Sequence, residues 1–145
     1  MVSTTWRLPY LRDYTVDGYK PINSALRNGE YRVEVDDIIE DLLTLEPFEG
    51  ITYRGMSKEV FKKSLKGKVF SDKAFLSTSK LRVEALAFGG EDRVLLRIEG
   101  RSGRSVEEIS SYPDEEEVLF LPGTKFQVTD KKSYKGIPVY FLREE

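Results

Sequence analysis

The sequence predicts an α+β fold, a helical N-terminal half followed by a mainly antiparallel β half. Apolar residues recur at helical spacing up to about residue 45 and then alternate. The change of period falls at Pro47 and Gly50, two residues that interrupt regular structure. The chain has 145 residues, 39% of them hydrophobic, which suits one domain over 1–145 built around one core.

Residues 6–14 place Trp6, Tyr10, Leu11 and Tyr14 on a short helix interrupted by Pro9. Residues 19–28 carry Ile22, Ala25 and Leu26 at helical spacing and stop at Asn28-Gly29. Residues 35–45 give the clearest helix, with Val35, Ile38, Ile39, Leu42 and Leu43 on one face and acids on the other. Strands are expected over 50–55, 68–70, 74–78, 93–98, 118–120, 125–129 and 137–142. Ser57 should cap a helix running to Leu65, and Ser79 a helix over 81–88 that Gly89-Gly90 ends. Pro122-Gly123 should turn the chain between two of the late strands.

Composition excludes much chemistry. There is no cysteine, hence no disulfide and no thiolate metal site, and no histidine, hence no Ser-His-Asp triad and no imidazole base. Catalysis would fall to carboxylates, hydroxyls, Lys, Arg or Tyr. The net charge of −2 and the lack of a basic run give no support for nucleic-acid binding. No apolar run approaches the ~20 residues of a membrane span. Met1-Val2-Ser3-Thr4-Thr5-Trp6 lacks the charged start and apolar centre of a signal peptide. A soluble protein is expected, with delivery to any other cell left to something outside this chain.

Three polar features stand at strand ends. Arg54 closes one strand and is followed by Gly55, and Ser77-Thr78-Ser79 closes another. Asp114-Glu115-Glu116-Glu117 runs into the apolar Val118-Leu119-Phe120. Alternation along that strand puts Glu115 and Glu117 on one face and Glu116 on the other, so the outer pair repels. Singly, each feature reads as readily as a turn arginine, a polar helix cap or a solvated acidic turn. In order, about twenty to forty residues apart, they form an anion binder, a hydroxyl and a carboxylate pair.

This order resembles the R-S-E class of mono-ADP-ribosyltransferases, bacterial exoenzyme toxins among them. The resemblance rests on Tyr53-Arg54-Gly55, Phe75-Leu76-Ser77-Thr78-Ser79 and Glu115-Glu116-Glu117 before an apolar strand. The leading stretch Tyr14-Thr15-Val16-Asp17-Gly18-Tyr19, with Ile22-Asn23 and Leu26-Arg27, extends it over nearly the whole chain. It implies the ADP-ribosyltransferase fold, N-terminal helices packed on two antiparallel β-sheets with an NAD cleft, and a minimal catalytic domain without a translocation module. It implies NAD as a substrate and no metal. ADP-ribose would pass to a protein side chain and nicotinamide would be released, with inversion if the acceptor attacks opposite the leaving group.

The resemblance also implies roles. Arg54 would bind the pyrophosphate with its planar fork, next to Gly55. Glu117 would stabilise the charge that develops on the ribose as nicotinamide leaves. Ser77 would hydrogen-bond and orient Glu117, while Thr78 and Ser79 shape the strand end. Glu115, in place of Gln, implies an arginine acceptor. Asn23 and Arg27, four apart on one helix face, are candidates for the adenine end, together with Tyr14. Phe88 is placed to lie against nicotinamide or simply to end its helix. Tyr112, in the loop 107–114, is placed to contact the target or to pack. Relatives carry a second arginine just after the phenylalanine; here Arg93 is displaced by Gly89-Gly90-Glu91-Asp92.

A toxin, effector or phage enzyme is therefore expected, acting as a monomer on a protein arginine in a target-cell cytoplasm, with actin the target by analogy. An immunity or delivery protein would accompany such a toxin. An NAD glycohydrolase, a nucleic-acid ADP-ribosyltransferase and a non-catalytic module of the same fold are the competing readings.

Overall fold

A computed structural model describes residues 8–110 and 112–145. Helix α1 (Pro9–Asp13) continues through a π-helical turn (Tyr14–Gly18) into α2 (Tyr19–Arg27), and α3 (Val33–Leu43) follows. The part of the first expected helix that contained Trp6 lies outside the described residues. The 6–14 expectation also missed the π turn, which keeps the chain helical through Gly18. Leu8, at the α1 N-terminus, offers no side-chain cap. Asp41 of α3 supplies it instead, its Oδ2 accepting from the amides of Tyr10 and Leu11 at 3.1 Å each. Two of the amides that a helix start leaves unpaired are thereby satisfied from a distant element. On α3, Val35, Ile38 and Leu42 are buried as the spacing requires.

The β half contains β1 (Gly50–Ser57), α4 (Lys58–Lys63), β2 (Leu65–Lys66), β3 (Val69–Ser71), β4 (Leu76–Ser79), α5 (Arg82–Leu86) and β5 (Arg93–Gly100). It continues with β6 (Arg104–Ser105), a 3₁₀ turn (Pro113–Glu115), β7 (Glu117–Phe120), β8 (Lys125–Tyr134) and β9 (Ile137–Glu144). Ser57 caps α4 as expected, its Oγ accepting from Val60 N at 3.2 Å. That helix stops at Lys63, because Leu65 enters the short hairpin of β2 and β3. Ser79 is not the cap of α5. Leu81 holds that place without a side-chain bond, while Ser79 Oγ accepts from Leu81 N.

Hydrogen bonding runs through all nine strands in the order β2-β3-β8-β9-β5-β1-β4-β7-β6. The two expected sheets meet at β1 and β4, where a single register pair, Tyr53 with Ser79, joins them. The β5–β9 pair is parallel and all the others are antiparallel. One core fills the space between the two halves, with Met56, Phe70, Leu96, Val118, Phe120 and Phe126 among its residues. A second, around Leu11, Ile22, Ile38, Leu42, Phe75 and Leu119, packs the helices onto β4 and β7. Alternation along β7 thus sends Leu119 to the helices and Val118 and Phe120 to the core between the halves.

The C-terminal end of α5 rests directly on β1. A Cβ at Gly55 would lie 2.0 Å from the Ala85 carbonyl oxygen and 2.8 Å from that of Phe88. Both are backbone atoms that cannot swing away, so this position requires glycine. Gly55→Ala should therefore cost at least about 2 kcal/mol, read as a lowered urea midpoint at an unchanged slope. An unchanged midpoint would mean that α5 does not rest on the strand.

Candidate active site

The site is assembled where β1, β4 and β7 come together. Register places Ser77 opposite Leu119 and Ser79 opposite Glu117 across β4 and β7. On β1, Arg54 stands opposite Leu96, on the face of the core between the halves. Its side chain lies at the open end of that core, in the wall of a cleft of about 920 Å³. The helices supply the other wall through Tyr14, Asn23 and Arg27. A volume of this size is in the range of small-molecule and cofactor sites.

Ser77 Oγ donates a short hydrogen bond of 2.5 Å to Glu117 Oε2. Arg54 Nη1 donates to the Ser77 carbonyl at 3.4 Å, and its Cζ lies 5.8 Å from the centroid of Phe88. Arg54 Nε is buried and has no hydrogen-bond partner among the described residues. Burial lowers the pKa of this guanidinium, and the nearby charge of Arg27 lowers it further. A buried cationic donor left unpaired is costly, and an anion at this wall of the cleft would offset that cost.

Glu117 feels the opposite stress. Burial pushes its carboxyl above the ordinary value of 4.5, the Ser77 bond draws it back, Glu115 raises it and Arg54 lowers it. Glu115 is also raised, by partial burial and by Glu84. The two carboxylates do not share a strand face, contrary to the alternation expectation. Glu115 ends the 3₁₀ turn, and Glu116 takes a left-handed conformation with φ 45° before β7 begins at Glu117. This reversal brings both outer carboxylates to one pocket, beside Tyr53, Glu84 and Phe88. The segment is held by Ser79 Oγ donating to the Glu115 carbonyl at 2.6 Å and by Lys80 N donating to the Glu116 carbonyl at 3.1 Å.

The remaining expected residues fall into distinct places. Thr78 Oγ1 donates to the Val118 carbonyl at 2.8 Å and is buried, so its hydroxyl ties β4 to β7. Gly55 lines the pocket, but its necessity is the contact with α5. Asn23 Nδ2 donates to the Tyr14 hydroxyl at 2.9 Å, and its Oδ1 accepts from Phe75 N at 3.3 Å. Burial raises the Tyr14 phenol above its ordinary value. Arg27 makes a bidentate pair with Asp72, at 3.3 and 3.0 Å. Phe88 and Tyr112 are about half exposed, and both line the cleft. Arg93 is not brought to the cleft; its Nη1 donates to the Gly90 carbonyl at the end of the α5–β5 turn.

Sequence reasoning missed Asp72 and Glu84, and it quoted Tyr53 in a motif without assigning it a place in the wall. Only Asp72 left a signal, in Asp72-Lys73-Ala74, where its Oδ1 also accepts from Ala74 N as an aspartate turn does. Among the described residues no group of three or more acidic, His or Cys side chains is arranged to hold a metal. No helix among them is long and apolar enough to cross a membrane.

Residues 31–139 match the family model described as ADP-ribosyltransferase exoenzyme, and the chain belongs to that family. It is 36% identical over 143 residues to the NAD(+)–protein-arginine ADP-ribosyltransferase Tre1 of Pseudomonas putida (strain GB-1), an alignment covering 92% of this chain and 28% of that protein. It is similar to the solved structure of exoenzyme S from Pseudomonas aeruginosa, in complex with human 14-3-3 protein beta and bound to carba-NAD. The TM-score there is 0.78 at 27% identity, over 94% of this chain and 72% of that one. The fold of the ADP-ribosyltransferase Vis, from Vibrio splendidus, matches with the same TM-score of 0.78 at 24% identity, over 99% of this chain and 78% of that one. The chain spans only 16% to 30% of the length of the first curated relatives it matches.

The raised pKa of Glu117 has a consequence for stability. The folded state holds that proton more tightly than the unfolded chain does, so Glu117 lowers stability as pH rises from its ordinary value of 4.5 through its folded value. Glu117→Gln should raise Tm near neutral pH by on the order of 2–4 °C. The gain should vanish well below pH 4.5. Calorimetric melts at the two pH values check this; equal Tm at neutral pH would contradict it.

Proposed function

We propose that this chain moves ADP-ribose from NAD to an arginine side chain of a protein, releasing nicotinamide, as one catalytic domain over residues 1–145. The carrying observation is the Ser77–Glu117 hydrogen bond beside a buried, unpartnered Arg54 Nε in a cleft of about 920 Å³. Family membership and the names of relatives at 30% identity or more support the same reading.

Bound NAD supplies a ribose carbon that gains positive charge as its bond to nicotinamide breaks. Arg54 offers a pyrophosphate the donors that the protein leaves unused, and a planar fork matches phosphate oxygens. Glu117 sits where burial makes its negative charge costly. A developing cation nearby relieves that cost, so the interaction is stronger in the transition state than in the ground state, which is what accelerates the step. Ser77 fixes the orientation of the Glu117 carboxylate, and the sequence has no histidine to activate its hydroxyl as a nucleophile. Phe88 presents a half-exposed ring at the same wall.

Glu115 is exposed and faces the same pocket, placed to receive an incoming guanidinium. A carboxylate pairs with a guanidinium in a planar, bidentate way and fixes which nitrogen faces the ribose. As that nitrogen forms its bond to the ribose carbon and the bond to nicotinamide breaks, a guanidinium proton must leave. A carboxylate whose pKa is raised is the better acceptor for it.

The two carboxylates should therefore separate by mutation. Glu117→Gln should reduce both nicotinamide release and protein labelling, by about 100-fold or more. Glu115→Gln should keep NAD hydrolysis within about three-fold while losing arginine labelling by about 100-fold. Labelled NAD with a cell lysate, followed by mass spectrometry of the modified residues, reads both and names the target, with actin as the first protein to check. Equal loss of both activities in Glu115→Gln would contradict the division. NAD consumption by the wild-type chain without any labelled protein would favour water as the acceptor.

A further inference from the structure

The side of β1, β5, β9 and β8 facing away from the core between the halves is only partly covered. Helix α5 lies over one end of it but has five residues. Beneath it Leu95 and Val139 are buried, while Tyr53, Tyr134, Ile137 and Phe141 are half-buried. Two of these rings carry pairs of cations. Arg97 Cζ lies 5.0 Å from the Phe141 centroid and Lys132 Nζ 5.4 Å from it. Arg82 Cζ lies 4.3 Å from the Tyr134 centroid and Lys135 Nζ 5.4 Å from it.

None of these four cations has a carboxylate partner or a side-chain hydrogen bond among the described residues. A ring face holds a cation through its quadrupole yet leaves the N–H donors free to bond outward. By contrast, Arg143 on the same face is already paired with Glu99 at 3.0 Å. Four unpaired cations gathered on one side of a chain whose net charge is −2 make a local positive field. The half-buried rings between them supply the apolar contact that a purely solvated charge patch lacks.

This face abuts the acceptor side of the site. Arg97 stands directly opposite Tyr53 in the β1–β5 register, and Tyr53 lines the pocket that holds Glu115 and Glu117. Arg82 begins the helix whose Glu84 and Phe88 line that pocket.

We propose that this basic, aromatic face docks a carboxylate-rich segment of the protein that presents the acceptor arginine. The proposal rests on the transfer reading above and adds a substrate class to it, arginines with acidic surroundings. Charge complementarity selects carboxylates. The face interleaves its cations with Asp130 and Glu99, at positions opposite Phe141 and Arg143. Such alternation suits discrete acidic side chains and repels a continuous phosphodiester backbone.

The test compares two fluorescent peptides, each with one arginine, flanked in one by glutamates and in the other by glutamines. Anisotropy should show the wild-type chain binding the acidic peptide about ten-fold more tightly. Added salt should close that gap. Arg97→Glu with Lys132→Glu should abolish the preference while leaving NAD hydrolysis within about two-fold. Lys132→Glu with Lys135→Glu, both at exposed positions, should do the same without removing Arg97 from Phe141. Equal affinity for the two peptides, or a preference that survives in both double variants, overturns the proposal. So does tighter binding of an oligothymidine strand than of the acidic peptide. A wild-type chain that prefers the acidic peptide but consumes no NAD keeps the docking surface and removes the transfer reading.

Discussion

The hydrogen bond from Ser77 to Glu117 is the constraint on which the rest of the site depends. It exists because β4 and β7 are held in one register, with Leu76 opposite Phe120 and Ser79 opposite Glu117. Those partners in turn belong to two cores at once: Val118 and Phe120 face the space between the sheet halves, and Leu119 faces the helices. A one-residue slip would send Leu119 and Glu117 to the wrong side. Thr78 adds a hydroxyl tie to the Val118 carbonyl, so the strand end that presents Ser77 is fixed in both directions. The bottom of the cleft is thus as rigid as the core beneath it.

Around this rigid floor the structure accepts local cost. Arg54 is a half-buried cation whose buried Nε has no partner among the described residues, Glu117 a half-buried carboxylate, and Glu115 a second carboxylate turned toward it by a left-handed residue. Each costs stability in the folded chain, and under the proposed function each would be offset by a substrate group of complementary charge, which is how strain and unpaired charge come to collect at a site. Stability is recovered elsewhere. Asp41 caps a helix that has no cap of its own, and Arg27 and Asp72 lock the outer wall of the cleft to the turn before β4.

Much of this was legible in the order of the residues. The class of fold followed from the change of period, and β4 and the start of β7 carry the polar residues that the spacing singled out, whereas Arg54 lies inside β1, which runs on to Ser57, rather than at its end. What escaped was set by contacts between distant segments. Alternation could not place Glu115, because the chain turns as a 3₁₀ helix and then passes through a left-handed Glu116. The π turn over Tyr14–Gly18 leaves no periodic signature in five residues. The parallel pairing of β5 with β9 joins strands with three others between them in sequence. Gly55 reads in the sequence as a strand neighbour of the pyrophosphate-binding Arg54, and in the fold its lack of a side chain is what lets α5 close over the strand. Arg93, displaced in sequence from the place where relatives carry an arginine, donates to the Gly90 carbonyl.

The central claim is that the cleft binds NAD through Arg54, and calorimetric titration of NAD tests it most directly. The account predicts saturable binding by the wild-type chain and affinity at least about ten-fold weaker in Arg54→Ala, since a charge-assisted pair to phosphate contributes about 1.5–3 kcal/mol. NAD binding unchanged in Arg54→Ala would contradict it.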